Sequence, residues 1–308
     1  MNRSPLSLFT LPVFIAAYLT AFATAQDTQA PPAKAEDCGF LTGLRGFEDF
    51  HEPVGQPLYF ESPFNDTGVR FLYLKHYFSR NSALQGGDVT VYALQARVAL
   101  TERLAFIATK DGYSEINTGA FGEDEGWNDL AAGFKYVLVS DKEKDLVITP
   151  GIRLMIDQGH RLYGVINGNT DELSPFVSFA KGYDRLHLLG NATLRVPTDG
   201  DDGNTVGQWD LHLDYDVNPG AEAVFAPVGE VHGLHYLDDG ATALPIGGGD
   251  YTNLGSQPEH SFVAWASVGA RLELLKKFEL GLVYEFALTD PGDDIWKDRV
   301  TFDFHVRW

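Results

Sequence analysis

The sequence predicts an all-β protein, a transmembrane antiparallel up-and-down β-barrel of about twelve strands. Three observations predict it. Amphipathic segments, most of eight to fifteen residues, succeed one another from residue 70 to residue 308. Tight and long connections alternate between them. After the N-terminus no run of about twenty apolar residues occurs, which excludes helical spans.

The final segment shows the pattern best. From Val300 the even positions read Val, Phe, Phe, Val, Trp, while the odd ones from Arg299 read Arg, Thr, Asp, His, Arg. Strict alternation makes a strand with one apolar and one polar face. Other segments repeat it. Trp209, Leu211, Leu213, Tyr215 and Val217 oppose Gln208, Asp210, His212, Asp214 and Asp216; Phe278, Leu280, Leu282, Tyr284, Phe286 and Leu288 oppose Glu279, Gly281 and Glu285. The expected strands lie near 70–80, 88–100, 103–110, 128–140, 145–157, 173–183, 185–196, 206–217, 221–231, 260–274, 277–289 and 295–308. Segments 70–80 and 221–231 are ambiguous in phase, and Pro227 predicts a bulge.

Tight turns fall at Thr101-Glu102, Asp141 to Lys144, Asp184, Asn218-Pro219-Gly220 and Leu275-Lys276. The intervening connections, at 111–127, 158–172, 197–205 and 232–259, are long; those at 81–87 and 290–294 are shorter. Such a rhythm suits a barrel with short turns on one side of a membrane and loops on the other. A secreted soluble sandwich or lipocalin-like barrel is the competing architecture, and no fixed-period repeat supports a propeller or solenoid.

Ahead of the barrel, residues 1–25 read as a cleaved secretory signal: Arg3, an apolar run from Leu6 to Phe22, then Ala23-Thr24-Ala25. Residues 26–69 are expected to be a periplasmic lead-in or a lumen plug. They begin with a Pro/Ala-rich linker, and Pro53, Pro57 and Pro63 disqualify the stretch after it as a central strand. Cys38 is the only cysteine and cannot pair within the chain.

Lys+Arg 23 against Asp+Glu 43 give a net charge of −20, which argues against a nucleic-acid partner. With apolar faces on lipid, the opposite faces predict the pore lining: Arg97, Lys135, Arg153, Arg185 and Arg195 on early strands, then Asp210, His212, Asp214, Asp216, Glu279 and Glu285 on later ones. Arg271, Arg299, Asp303 and His305 mix the two signs. Basic and acidic groups would thus stand on opposed walls, either setting a field across a water-filled bore or bridging to fill it.

The acidic runs Glu123 to Glu125, Asp199 to Asp202, Asp238-Asp239 and Asp293-Asp294 read as a solvated anionic rim, because none has calcium-loop spacing. His232 and His235, in a connection long enough to fold back into the pore, lack a zinc pattern. No cofactor or metal is expected. His76 with Ser79, and His260-Ser261, have the wrong spacing for the His–Ser pair of a barrel phospholipase, and Asp210 beside His212 reads as a structural hydrogen bond. The sequence therefore predicts no enzyme.

Amphipathic segments, loop rhythm and a last strand ending on Trp308 resemble those of Gram-negative outer-membrane barrels. The resemblance covers residues 70–308 through pattern and not through a specific motif. It implies residence in the cell outer membrane among lipid and lipopolysaccharide, and insertion by the outer-membrane assembly machinery through the C-terminal strand. It also implies a porin- or transporter-like channel or facilitator for small solutes. A plugged structural or adhesive barrel and a soluble secreted binding protein remain the alternatives.

Overall fold

The computed structural model describes residues 39–308 apart from residues 83, 161–169, 240–258 and 291–295. The expected signal peptide, the linker, Cys38, Asp293-Asp294 and most of the connection at 232–259 lie outside the described residues.

Fifteen strand segments form one antiparallel sheet: β1 (Gly68–Phe78), β2 (Gly87–Ala99), β3 (Leu104–Lys110), β4 (Tyr113–Thr118), β5 (Gly122–Trp127), β6 (Leu130–Tyr136), β7 (Val139–Asp141), β8 (Leu146–Ile156), β9 (Glu172–Tyr183), β10 (Leu186–Pro197), β11 (Val206–Tyr215), β12 (Ala223–Tyr236), β13 (Phe262–Leu274), β14 (Phe278–Ala287) and β15 (Trp296–Arg307). Pairing runs from β1 through β15 down to β8, then β6, β3 and β2, and returns to β1. Leu74 faces Thr301 on one side and Val91 on the other, so twelve of the strands close into a barrel. Closure is what a sheet in hydrocarbon requires, because an unpaired edge has no water to bond.

Alternation sets which way each side chain points. Phe134, Ile152, Leu154, Leu213, Val268 and Leu282 stand exposed around the outside. Tyr136, Tyr183, Tyr215 and Trp308 are exposed at the short-turn ends of their strands, a girdle at one interface. A belt of outward apolar residues fits a hydrocarbon surrounding.

The expected connection at 111–127 is largely strand. β4 and β5 extend β3 and β6 beyond the belt as a hairpin, from Tyr113 opposite Trp127 to Thr118 opposite Gly122. Its outward residues past that aromatic pair, Glu115, Asn117, Glu123 and Glu125, are exposed and polar, so the ladder continues into water without an apolar face to betray it. Between β3 and β4, Gly112 takes φ +101° and a Cβ there would lie 2.1 Å from Tyr92 O. The Asp111 carboxylate accepts the Leu94 amide at 2.8 Å and so spans the break.

β12 also runs further than expected, to Tyr236, placing His232 and His235 in a strand and not a loop. Pairing of β12 with β13 passes Pro227 without a register shift, so the expected bulge is absent.

Candidate functional site in the barrel lumen

Residues 39–67 enter the barrel from the short-turn end and leave by it. Near one foot, Leu41 N donates to Ala99 O at 2.9 Å; near the other, the Asn65 side chain donates to Glu102 O at 2.7 Å, both beside the β2–β3 turn. The apex is Pro57 to Tyr59. Leu58 and Tyr59 pack on Leu74, Leu84, Val89, Val91 and Ile116, and the Tyr59 hydroxyl donates to Glu172, which opens β9 at the long-connection end, at 3.0 Å. Lower down, Phe47, Phe50, Phe60 and Phe64 pack on Val137, Val147, Ala180 and Leu189.

Polar groups of the loop are matched by the wall. A proline offers a carbonyl without an N–H that needs an acceptor. All three proline carbonyls take wall donors: Pro53 from Arg70 at 2.7 Å and Arg271 at 2.9 Å, Pro57 from Gln95 at 2.6 Å, Pro63 from Thr149 at 2.7 Å. The amides on either side of Pro53 meet carboxylates instead. Val54 and Gly55 donate to Glu230 at 2.8 and 2.7 Å, and Glu52 N donates to Glu279 at 3.2 Å. Gly55 permits this approach, since a Cβ there would sit 2.4 Å from Glu230 Oε2 and displace the carboxylate.

Charged side chains are paired in the same space. Arg97 donates to Glu52 at 2.8 Å and Asp66 at 2.6 Å, and Lys135 to Glu61 at 2.6 Å. Arg271 grips Asp303 at 2.5 and 2.8 Å, and Arg299 grips Glu285 at 2.6 and 2.5 Å. Burial alone would raise the Glu52 carboxyl, but Arg97, His305 and Lys135 outweigh it and hold it well below the usual carboxylate range. Burial pushes the Tyr59 hydroxyl far above its usual range, so it stays a donor.

A row of imidazoles and carboxylates lines β10 to β12. His187 and His212 both reach Asp214, at 2.8 and 2.9 Å, His212 reaches Glu230 at 2.7 Å, and His232 reaches Asp210 at 2.9 Å. The expected pairing of Asp210 with His212 is thus replaced by one across strands.

Of the residues predicted to line the pore, Arg97, Lys135, Arg153, Arg195, Asp210, His212, Asp214, Asp216, Arg271, Glu279, Glu285, Arg299, Asp303 and His305 are buried. Arg185 is not among them: it sits exposed in the turn after Asp184, where the strand has ended and no inward face exists. Glu172 on β9 adds a buried carboxylate to the strands expected to be basic, and Arg271, Arg299 and Arg307 stand with carboxylates on β13 to β15, where mixed signs were expected. Arg70, Glu172, Glu230, Glu52 and His51 escaped sequence reasoning. Arg70 and Glu230 stand on the two strands of ambiguous phase. There the inward neighbours Leu72, Leu74 and Val228 are apolar too, because they pack inside the barrel.

Closed antiparallel wall, lipid-facing belt and charged interior define a barrel of the outer-membrane type. No protein-family model matches the sequence, and no curated protein matches it. Among solved structures, the chain is similar to an outer-membrane channel from Pseudomonas putida F1, at 14% identity and TM-score 0.52 over 84% of this chain and 100% of that one. It also aligns with the NanC porin (10% identity, TM-score 0.46, 79% and 100% of the chains). A third alignment is with the KdgM porin in complex with oligogalacturonate (9% identity, TM-score 0.39, 78% and 99%). At such identities the first likeness speaks for the fold alone.

Proposed function

We propose that this protein is an outer-membrane channel for small solutes, closed by its own residues 47–66. One observation carries the reading. The loop is re-entrant, with both feet at the short-turn end, and side chains of the wall hold it without any strand pairing, so it can withdraw toward the periplasm without breaking the barrel ladder. The channel named for Pseudomonas putida F1 supports the class. Once the loop leaves, the arginines and carboxylates that grip it face water, and the charged interior becomes the lining that selects solutes. Arg153 is suited to such a role, because its Nε and Nη2 have no hydrogen-bond partner in the closed lumen.

Planar-bilayer recording tests the reading. The intact protein is expected to conduct rarely, and a variant lacking residues 39–66 to conduct steadily. In that shortened protein, Arg153→Ala should favour cations and Asp210→Asn should favour anions. A shortened barrel that inserts but stays silent would instead mark a filled structural barrel.

A further inference from the structure

We propose that the short-turn end of the lumen holds one zinc-type divalent ion between His51 of the re-entrant loop and His187, Asp214 and Asp216 of the wall. One ligand atom from each of the four lies within 4.8 Å of every other, and all four residues are buried. They come from three places in the chain. His51 belongs to the loop, His187 opens β10, and Asp214 and Asp216 stand at the end of β11.

In the ion-free arrangement the groups pair off, His51 Nε2 with Asp216 Oδ1 at 2.7 Å and His187 Nδ1 with Asp214 Oδ1 at 2.8 Å. Asp214 already gives its other oxygen, Oδ2, to His212 at 2.9 Å, which leaves Oδ1 to turn toward an ion and fixes the carboxylate that would bind it. Two imidazoles and two carboxylates form a four-ligand set of the kind zinc takes at about 2.0–2.2 Å. Calcium and magnesium prefer six or more oxygens and have little use for imidazole.

A separate observation points to a missing ligand. His51 Nδ1 has no hydrogen-bond partner although the residue is 1% exposed. The same imidazole also lies within 4.8 Å of ligand atoms of Glu273 and Glu279. Glu273 and Glu279 are poorer ligands themselves, because Arg307 holds both, Glu279 at 3.2 Å. An ion here would pin the loop to β10 and β11 at the end from which it must withdraw.

The test uses the mature chain refolded in detergent, stripped with chelator, and titrated with Zn²⁺ alone and with Co²⁺ alone as a coloured probe. One equivalent per chain is expected, with the intense visible bands of four-coordinate Co²⁺. His51→Ala should weaken binding by at least about tenfold, and His187→Ala likewise. His51 takes no part in the barrel ladder, so His51→Ala keeps the test readable should His187→Ala fail to refold; heat-modifiable migration reports folding. Absence of stoichiometric binding to the intact protein, or unchanged affinity in His51→Ala, would overturn the site. Neither result depends on whether the barrel conducts.

Discussion

The ring of Tyr59 lies over the guanidinium of Arg195, 3.9 Å from its Cζ, while its hydroxyl and the Arg195 Nε both donate to Glu172, at 3.0 and 3.1 Å. Arg153 approaches the same ring at 5.3 Å. Apex and wall are therefore locked by one aromatic side chain of the loop. Cation–π contacts of this kind contribute about 0.5–2 kcal/mol each. Tyr59→Ala removes them together with the hydroxyl and brings two arginines face to face, whereas Tyr59→Phe removes the hydroxyl alone. The Ala variant is expected to lengthen open times in single-channel recordings well beyond the Phe variant. Equal behaviour would remove the apex from the proposed gating.

Glu230 holds the loop by its backbone, so the residue opposite it must be bare. Gly55→Val brings a Cβ within 2.4 Å of Glu230 Oε2, pushing that carboxylate away from two amides. Glu230 keeps His212 and Ser267, and the loss of its two amide donors costs on the order of 1–3 kcal/mol. The expected outcome is a barrel that still shows heat-modifiable migration but whose residues 47–66 become open to limited proteolysis. Protection equal to wild type would place the loop's grip elsewhere.

A strand was legible in the sequence where each of its faces had only one kind of neighbour. β11 and β14 could be read outright because their outward residues meet lipid alone and, apart from Val206 and Val283, no large apolar residue points inward. β1 could not, since Leu74 and Phe78 look inward to a hydrophobic cluster that a loop apex completes. β4 and β5 were hidden for the opposite reason, both faces lying beyond the belt. The three prolines did mark residues 53–63 as non-strand, but pairings such as Gly55 with Glu230 join residues 175 apart. No local pattern records such a match.

The lipid face admits a direct test. Leu282 stands mid-strand on β14, 54% exposed, opposite Phe302 and Ala270. In hydrocarbon, Leu282→Lys should cost about 2–4 kcal/mol, read as a lowered denaturant midpoint for refolding into lipid vesicles. On a soluble protein the same substitution, placed in water, would be close to neutral. Leu138→Lys, beyond the end of β6 and 56% exposed, is expected to cost far less, because such penalties fall to about 0–1 kcal/mol near the interfaces. A flat response across both positions would sink the membrane orientation.

Arg299 and Glu285 present the clearest case of paired charge in the lumen, with Nε and Nη2 donating to separate carboxylate oxygens and Thr301 donating a third bond at 2.8 Å. Both residues are fully buried, so neither charge has water to fall back on. Removing one partner leaves the other uncompensated, which typically costs about 3–5 kcal/mol. Arg299→Leu and Glu285→Leu should therefore each destabilise the barrel strongly. Replacing both removes two desolvation penalties along with the attraction, so the double variant should refold at a denaturant midpoint near or above that of the wild type. A double-mutant cycle measures the difference. Additive losses would mean the two act independently, with water reaching the pair. A large coupling would show instead that this part of the bore stays dry while the loop is seated, as the proposed closed channel demands.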